Sequence, residues 1–379
     1  MDSISALFPT SYEESRQRFR GYLENIRARW PAAQLGSQPL AAEADLTLDW
    51  IEAGALQENE KVLLFTLGEH GVEAFTGSAM LALFVQEFLP ALDPATTGLV
   101  LVHAINPWGM KHLRRVNAAN VDLNRNFVWD QKGLDPTTNP DYTRAESFLN
   151  PPGQAGSMAG MQLAFVGGLV AILMKLGAAR FRRSTLLGQY RFSRGIYYGG
   201  DALQEETLCV MELFRQAVAA YERLLLLDMH TGYGPRYRMS VVNSAFEARD
   251  SHKLKQAFGY PDVVKSDPAE FYAMQGDMID YIYTLVSHVA PEKHLYAATF
   301  EFGTFGESLG AALRSLRTLI FENRAYWYGV ANDSLKTGIA REITELFNPP
   351  EPAWQASAIE NARRAFRGIL KAEGFTESE

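Results

Sequence analysis

The sequence predicts an α/β protein built on a largely parallel sheet. Three observations carry that prediction. Short, nearly continuous apolar runs alternate with segments of helical spacing. The runs lack the one-sided alternation of a solvent-facing sheet, as expected of strands covered on both faces. Polar residues gather just where those runs end: His70 and Glu73, then Asn106, then His230, then Glu301. In parallel sheets, sites collect at the carboxyl ends of the strands.

The elements follow in order. Ser11 to Trp30 has amphipathic spacing, with Ser11-Tyr12-Glu13-Glu14 as a capping box. Leu46 to Ile51 alternates like a strand. Lys61 to Leu67 (KVLLFTL) reads as a buried strand ending at Gly68, and Glu73 to Phe88 as the helix after it. Leu99 to Ala104 (LVLVHA) is a second buried strand, followed by the polar loop Asn106-Pro107-Trp108-Gly109. Asn126 to Gly156, rich in Asn, Pro, Asp and Thr, reads as a long ordered loop. Leu203 to Glu222 is expected to be helical, and Leu224 to Met229, Met239 to Asn243 and Tyr296 to Phe302 to be strands. Tyr326 to Gly374 adds helical segments broken at Asn348-Pro349-Pro350. We expect one catalytic domain over 1–379, with a core at about 40–330 and a helical extension, 331–379, packed on it.

Composition narrows the function classes. The 379 residues are 47% hydrophobic and 21% charged, enough to bury a sizeable core and unlike a disordered or fibrous chain. Lys and Arg number 36 against 44 Asp and Glu, a net charge of −8 with no long basic block. On that balance nucleic acid and membrane surfaces are not expected partners. The single cysteine, Cys209, excludes an internal disulfide, a Cys-rich zinc site and an iron–sulfur cluster, and points to the reducing cytoplasm. The N-terminal residues have neither a basic n-region nor a long apolar stretch, so no signal peptide is expected. Met158 to Met174 (MAGMQLAFVGGLVAILM) is uncharged and almost long enough to span a bilayer; the reading here is a buried helix.

The chemistry-bearing residues form a constellation. In Gly68-Glu69-His70-Gly71-Val72-Glu73 a turn that starts a helix can bring an imidazole and a carboxylate onto one small ion. The plainer reading gives Glu73 to the helix dipole. His230, in Leu227-Asp228-Met229-His230, ends another apolar run. Together His70, Glu73 and His230 make the two-His-plus-Glu set of a catalytic zinc, with the fourth position left to water. His103, His112, His252, His288 and His294 read as structural. Asn120-Val121-Asp122-Leu123-Asn124-Arg125-Asn126 sets a carboxylate, an amide and a guanidinium within four residues. The Arg125 fork suits a substrate carboxylate, with Asn124 a donor beside it. Asp122 suits the N–H of a ligand histidine, although the stretch also reads as a turn bonding its own backbone. Glu301, at the end of an apolar strand, needs a partner: a structural arginine, or a water whose proton it takes as general base.

These pieces resemble the zinc carboxypeptidase superfamily, in which H-x-x-E, N-P-x-G, D-x-N-R-N, a strand-end His and a strand-end Glu occur in that order. Here they are His70/Glu73, Asn106 to Gly109, Asp122 to Asn126, His230 and Glu301, spanning about residues 60–325. The style of Phe65 to Ser78 and of Gly195 to Gly200 (GIYYGG) looks like a poorly characterised bacterial branch; the aspartoacylase and succinylglutamate desuccinylase branch shares the core. The resemblance implies a mixed, largely parallel twisted sheet with helices on both faces. It implies one Zn2+ on His70, Glu73 and His230, Glu301 as general base, and Arg125 and Asn124 on the substrate carboxylate. It also implies an upstream arginine on the scissile carbonyl, for which Arg115 is the choice and Arg114 the neighbour. The family's mobile-loop tyrosine has no motif here; Tyr260, Tyr272 and Tyr281 stand open.

The expected function is hydrolysis of an amide bond next to a free carboxylate, on a peptide. The alternative substrate is an N-acyl amino acid, for which Arg236 or Arg238 would meet a second carboxylate. A non-catalytic carboxylate-binding module is the third reading, and a general base such as Glu301 has no use in it.

Overall fold

We describe a computed structural model of the chain, covering residues 2–265 and 275–377. Among these residues eight strands form one sheet: β1 (Gln34–Pro39), β2 (Thr47–Ala53), β3 (Lys61–Leu67), β4 (Thr97–His103), β5 (Arg223–Thr231), β6 (Met239–Asn243), β7 (Val263–Lys265) and β8 (His294–Phe302). Their order is β1-β2-β4-β3-β5-β8-β6-β7. The four central strands, β4, β3, β5 and β8, run parallel; β1, β2 and β6 pair antiparallel with the strands beside them on the inner side or edge, and β7 runs parallel to β6. The sheet is therefore mixed and largely parallel.

Among the described residues thirteen α-helices follow in chain order: α1 (Asp2–Ser5), α2 (Tyr12–Arg27), α3 (Ala74–Glu87), α4 (Pro107–Lys111), α5 (Pro140–Leu149), α6 (Met158–Leu176), α7 (Ala178–Leu186), α8 (Glu205–Ala220), α9 (Ser251–Phe258), α10 (Met278–Val289), α11 (Leu309–Tyr328), α12 (Asp333–Phe347) and α13 (Pro352–Ala372). Alternate strand residues face opposite sides. Leu63, Phe65, Leu67, Leu225, Leu227 and Phe300 face a core built with α2, α3, α9 and α13. Val62, Leu64, Val100, Leu224 and Leu226 face the other core, built with α8 and α10. Both faces are thus covered, which is why the central strands read as continuous apolar runs. The C-terminal helix α13 is part of the first core: Phe366 stacks on Phe300 with ring centroids 5.1 Å apart.

A third apolar cluster joins α5, α6, α7, α11 and α12, and Val72 of the H-x-x-E turn belongs to it. Two expectations change here. The loop expected over Asn126 to Gly156 contains α5. Its N-cap, Asn139, accepts from the Tyr142 N–H, and Pro140 is its first residue. The Asn-Pro pair that marked a loop is a helix start. The second is α6, expected to be buried on all sides. Met161, Phe165, Ile172 and Leu176 are buried in the third cluster, but Leu163, Val166, Val170 and Met174 on the opposite face are exposed. An all-apolar helix gives no sequence signal for which of its faces is covered.

Candidate metal centre

The centre lies at the carboxyl ends of β3, β5 and β8. After β3, Gly68 takes a left-handed φ of +73°, and residues Gly71–Glu73 form a single 3-10 turn leading into α3. Gly71 is needed for close approach, because a Cβ there would lie 2.2 Å from the Gly109 backbone. The Gly71 and Val72 N–H groups donate to the carbonyls of Arg115 (3.2 Å) and Arg114 (3.0 Å). Asn106 caps α4 by accepting from the Gly109 N–H at 2.7 Å and donates to the Arg115 carbonyl. The N-P-x-G stretch therefore holds Arg115 against the H-x-x-E turn. On β5, Asp228 and His230 project to the same side, two residues apart. On β8, Glu301 lies opposite His230 in the parallel register.

Three side chains from these elements converge. His70 Nδ1 is 3.0 Å from Glu73 Oε1 and 3.2 Å from His230 Nδ1. His230 Nδ1 is 3.4 Å from Glu73 Oε2. The imidazole planes cross at 81°. Both rings are anchored from behind: His70 Nε2 meets Asp122 Oδ1 at 3.0 Å and His230 Nε2 meets Asp228 Oδ2 at 2.5 Å. Asp228 in turn accepts from Thr66 Oγ1 at 2.7 Å. Glu73 Oε2 accepts from the Thr231 N–H at 2.7 Å. A carboxylate on each Nε2 leaves each Nδ1 as the ring nitrogen turned toward Glu73, an arrangement suited to a metal ligand set.

The donor set and its charge fit a divalent cation. Glu69, Glu73, Asp122 and Asp228 are all buried, with Glu301 partly so. Facing them are the imidazoles and two arginines, Arg115 and Arg125; burial disfavours the imidazolium form, yet the surrounding carboxylates hold both imidazoles above their usual range, a field that also favours a bound cation. Two nitrogens and one oxygen suit zinc. Glu69 is a rival carboxylate, since it, His70 and His230 each bring a ligand atom within 4.8 Å of one another. Glu73 is the better placed of the two. It touches both Nδ1 atoms, whereas Glu69 reaches His230 at Nε2, 3.3 Å away, where Asp228 already bonds the ring. Neither oxygen of Glu69 has a hydrogen-bond partner among the described residues.

Electrostatics separate the carboxylates. Burial pushes Glu73 up, but the His70 and His230 contacts outweigh it and hold the group well below the usual range. Burial likewise opposes ionisation of Asp122, and Arg115 and His70 reverse it. Glu301 goes the other way: burial, aided by the charge of Glu73 against the pull of His230, lifts it to about 7. Its Oε2 has no partner among the described residues. A carboxyl poised near neutral pH beside the ligand set is matched to proton transfer.

The arginines divide. Arg115 donates to Asp122 Oδ2 from Nη2 (3.2 Å) and reaches Glu73 Oε1 from Nη1 (3.5 Å), so it lies at the centre. Arg125 is buried, its Nε without a hydrogen-bond partner among the described residues, and Nη1 donates to the Asn124 carbonyl at 2.6 Å. Asn124 Oδ1 accepts from the Met278 N–H at 3.2 Å, which leaves its amide nitrogen for other partners. Arg114, expected near the substrate, is instead held away in packing. Its Nε donates to Glu322 at 2.6 Å, and its guanidinium lies 3.7 Å from the Tyr326 ring centroid. A buried guanidinium takes the nearest carboxylate, and α11 supplies one. Arg236 pairs with Glu351 at 2.5 Å and Arg238 with Asp262.

Of the tyrosines, Tyr260 donates to the Met239 carbonyl, Tyr281 packs on Phe127 and Trp129, and Tyr272 lies outside the described residues. Sequence reading passed over three groups near the centre. Asp228 and Glu69 flank His230 and His70 in sequence, which was the available signal. Tyr197 has a left-handed φ of +59°, costly for a bulky residue; burial raises its pKa against the charge of Arg115. Its only sequence signal was the Gly-rich stretch around it. A surface cavity of about 300 Å³ is lined by Arg191, Arg194, Arg324 and Glu146 among others, and includes no residue of the centre.

Comparison with known proteins follows from this geometry. The family described as Protein of unknown function (DUF2817) matches residues 8–361. No curated protein matches the chain. Among solved structures, bovine thrombin-activatable fibrinolysis inhibitor in complex with tick carboxypeptidase inhibitor is similar at 14% identity and a TM-score of 0.46, over 95% of this chain and 97% of that one. Carboxypeptidase A from Helicoverpa armigera is similar at 15% identity and 0.45, over 88% and 73%. At these scores the functional reading rests on the side chains above and not on the likeness.

Proposed function

The chain belongs to the family described as Protein of unknown function (DUF2817), and from that premise we propose that it is a zinc-dependent hydrolase cleaving an amide bond next to a free carboxylate, a carboxypeptidase-like metallopeptidase. The observation that carries the reading is the meeting of His70 Nδ1, Glu73 and His230 Nδ1 within 3.4 Å, with Glu301 in register beside His230. His70, Glu73 and His230 would hold the ion, which when bound supplies a water of lowered pKa and a Lewis acid.

The chain's own residues do the rest. Glu301 takes the proton of the attacking water and returns it to the leaving amine. Arg115, fixed by Asp122, offers positive charge where the scissile carbonyl oxygen becomes anionic. Arg125 binds the free carboxylate and Asn124 donates beside it, setting register along the substrate. Asp122 and Asp228 hold the two imidazoles in one tautomer. The single cysteine supports the reducing cytoplasm as the working compartment.

An N-acyl amino acid with an acidic acyl group would need a further free cation. Arg236 and Arg238 are already paired with Glu351 and Asp262, which favours the peptide. The test is a panel of dipeptides and C-terminally blocked peptides against N-succinyl and N-acetyl amino acids, assayed with zinc present. Cleavage confined to free-carboxylate peptides supports the reading. Cleavage of N-acyl amino acids alone would replace it with the amidohydrolase, and no hydrolysis of any substrate would reduce the site to a binding module.

A further inference from the structure

Helix α6 is apolar on every side, yet only one side is covered. Met161, Phe165, Ile172 and Leu176 pack into the third cluster, and Gly168 admits the Phe148 ring, which a Cβ would meet at 2.6 Å. The opposite face shows Leu163 (76% exposed), Val166 (57%), Val170 (54%) and Met174 (84%). These residues are spaced three or four apart and form one stripe, about 16 Å long at 1.5 Å per residue. Between them lie Gly167 and Ala171, also exposed. Lone exposed apolar residues are ordinary, but a continuous stripe of this kind marks an interaction surface.

The charge around the stripe identifies what covers it. Residues 147–200 contain six Lys and Arg and no Asp or Glu, in a chain whose net charge is −8. Lys175 ends the stripe with its Nζ on the Arg144 carbonyl at 3.0 Å, and α7 follows at once with Arg180, which pairs with Asp141 of α5, and with the exposed Arg182 and Arg183. An apolar face with a basic border matches the boundary of an anionic bilayer, acyl chains against the stripe and headgroups against the arginines. A second copy of the chain would set this positive border against its own. The buried stripe keeps α6 attached to α5 and α7, so the helix lies in the membrane surface and does not cross it. The whole-chain balance that set membranes aside averages over this local patch.

We propose that α6 and α7 form a docking surface for anionic lipid membranes. The chain from α7 runs directly to Gly188, whose backbone abuts the Arg125 side chain. Docking therefore sets the membrane on the same subdomain that borders the carboxylate-binding residues. The docking does not depend on hydrolytic activity.

The test is co-sedimentation of the full chain with phosphatidylglycerol-containing and pure phosphatidylcholine vesicles, with L163E/V170E as the comparison. Both positions are exposed, so the variant keeps its fold and its thermal transition. The wild type is expected to pellet with the anionic vesicles and to release as salt rises; the bound fraction falls about tenfold for L163E/V170E and for pure phosphatidylcholine. No pelleting with anionic vesicles would overturn the proposal. So would a dimer in analytical ultracentrifugation that L163E/V170E converts to monomer, because the stripe would then be covered by a second copy.

Discussion

His230 on β5 and Glu301 on β8 stand directly opposite each other in a parallel pair of strands. This register puts a candidate ligand and a candidate base on one edge of the sheet without any help from loops. Thr66 and Asp228, also paired across β3 and β5, share a 2.7 Å hydrogen bond one layer below. Strand pairing thus sets the depth of each group, and the turn after β3 brings His70 and Glu73 to the same level.

The Glu301→Gln substitution preserves shape and removes the base. Turnover should fall about 10²–10⁴-fold, while zinc content measured by elemental analysis stays at wild-type level. Wild-type turnover in this variant would remove Glu301 from the role.

Asp228 anchors His230 through Nε2 at 2.5 Å. Its replacement by Asn keeps the volume and gives up the charge. Zinc affinity, measured by competition with a chromogenic chelator, should weaken about 10–100-fold, with the thermal transition little changed. Unaltered affinity would make Asp228 a packing residue only.

Arg125 and Arg114 should respond in opposite ways. Arg125→Lys loses the planar fork, so KM should rise about tenfold or more with kcat nearly unchanged. Arg114→Met breaks the buried contact with Glu322 and should lower stability by about 3 kcal/mol, leaving kcat and KM per folded molecule unaltered. Steady-state kinetics beside thermal melts separate the two; a kinetic defect in Arg114→Met would return it to the substrate.

Glu206 lies at the start of α8, 3% exposed, and accepts from Asn117 Nδ2 at 3.2 Å. Burial lifts its pKa from 4.5 to about 7. The folded chain therefore holds this proton more tightly than the unfolded chain. Its contribution is full below about pH 4.5 and is lost as pH rises toward about 7. Glu206→Gln should match the wild type near pH 4 and be more stable by about 2–3 kcal/mol at pH 8. Denaturant melts at the two pH values check this, and an equal offset at both would contradict it.

Much of the framework was legible in the sequence, because fully buried strands carry a strong signal. Lys61 to Leu67 and Met239 to Asn243 appear with the expected bounds, and the expected helix from Glu73 to Phe88 matches α3 to within a residue at each end. Edge elements were not legible. β1 contains Gly36 and Pro39, and Gly36 is there because the Trp50 indole occupies the space of a Cβ; β7 has only three residues. The meeting of His70, Glu73 and His230 was expected as a set because His230 ends a strand and His70 and Glu73 share the turn that follows another. Partner choice among arginines was not, since Arg114 and Arg115 are neighbours in sequence and only the position of Glu322 on α11 separates them. The open face of α6 was also hidden, for its sequence is equally apolar on both sides.

The central claim is that His70, Glu73 and His230 bind one zinc ion. The direct measurement is an anomalous difference map at the zinc edge from a crystal of zinc-loaded protein. The account predicts a single peak about 2.0–2.2 Å from His70 Nδ1, His230 Nδ1 and a Glu73 oxygen. A peak coordinated by Glu69 at His230 Nε2, or no peak between the two imidazoles, would contradict it.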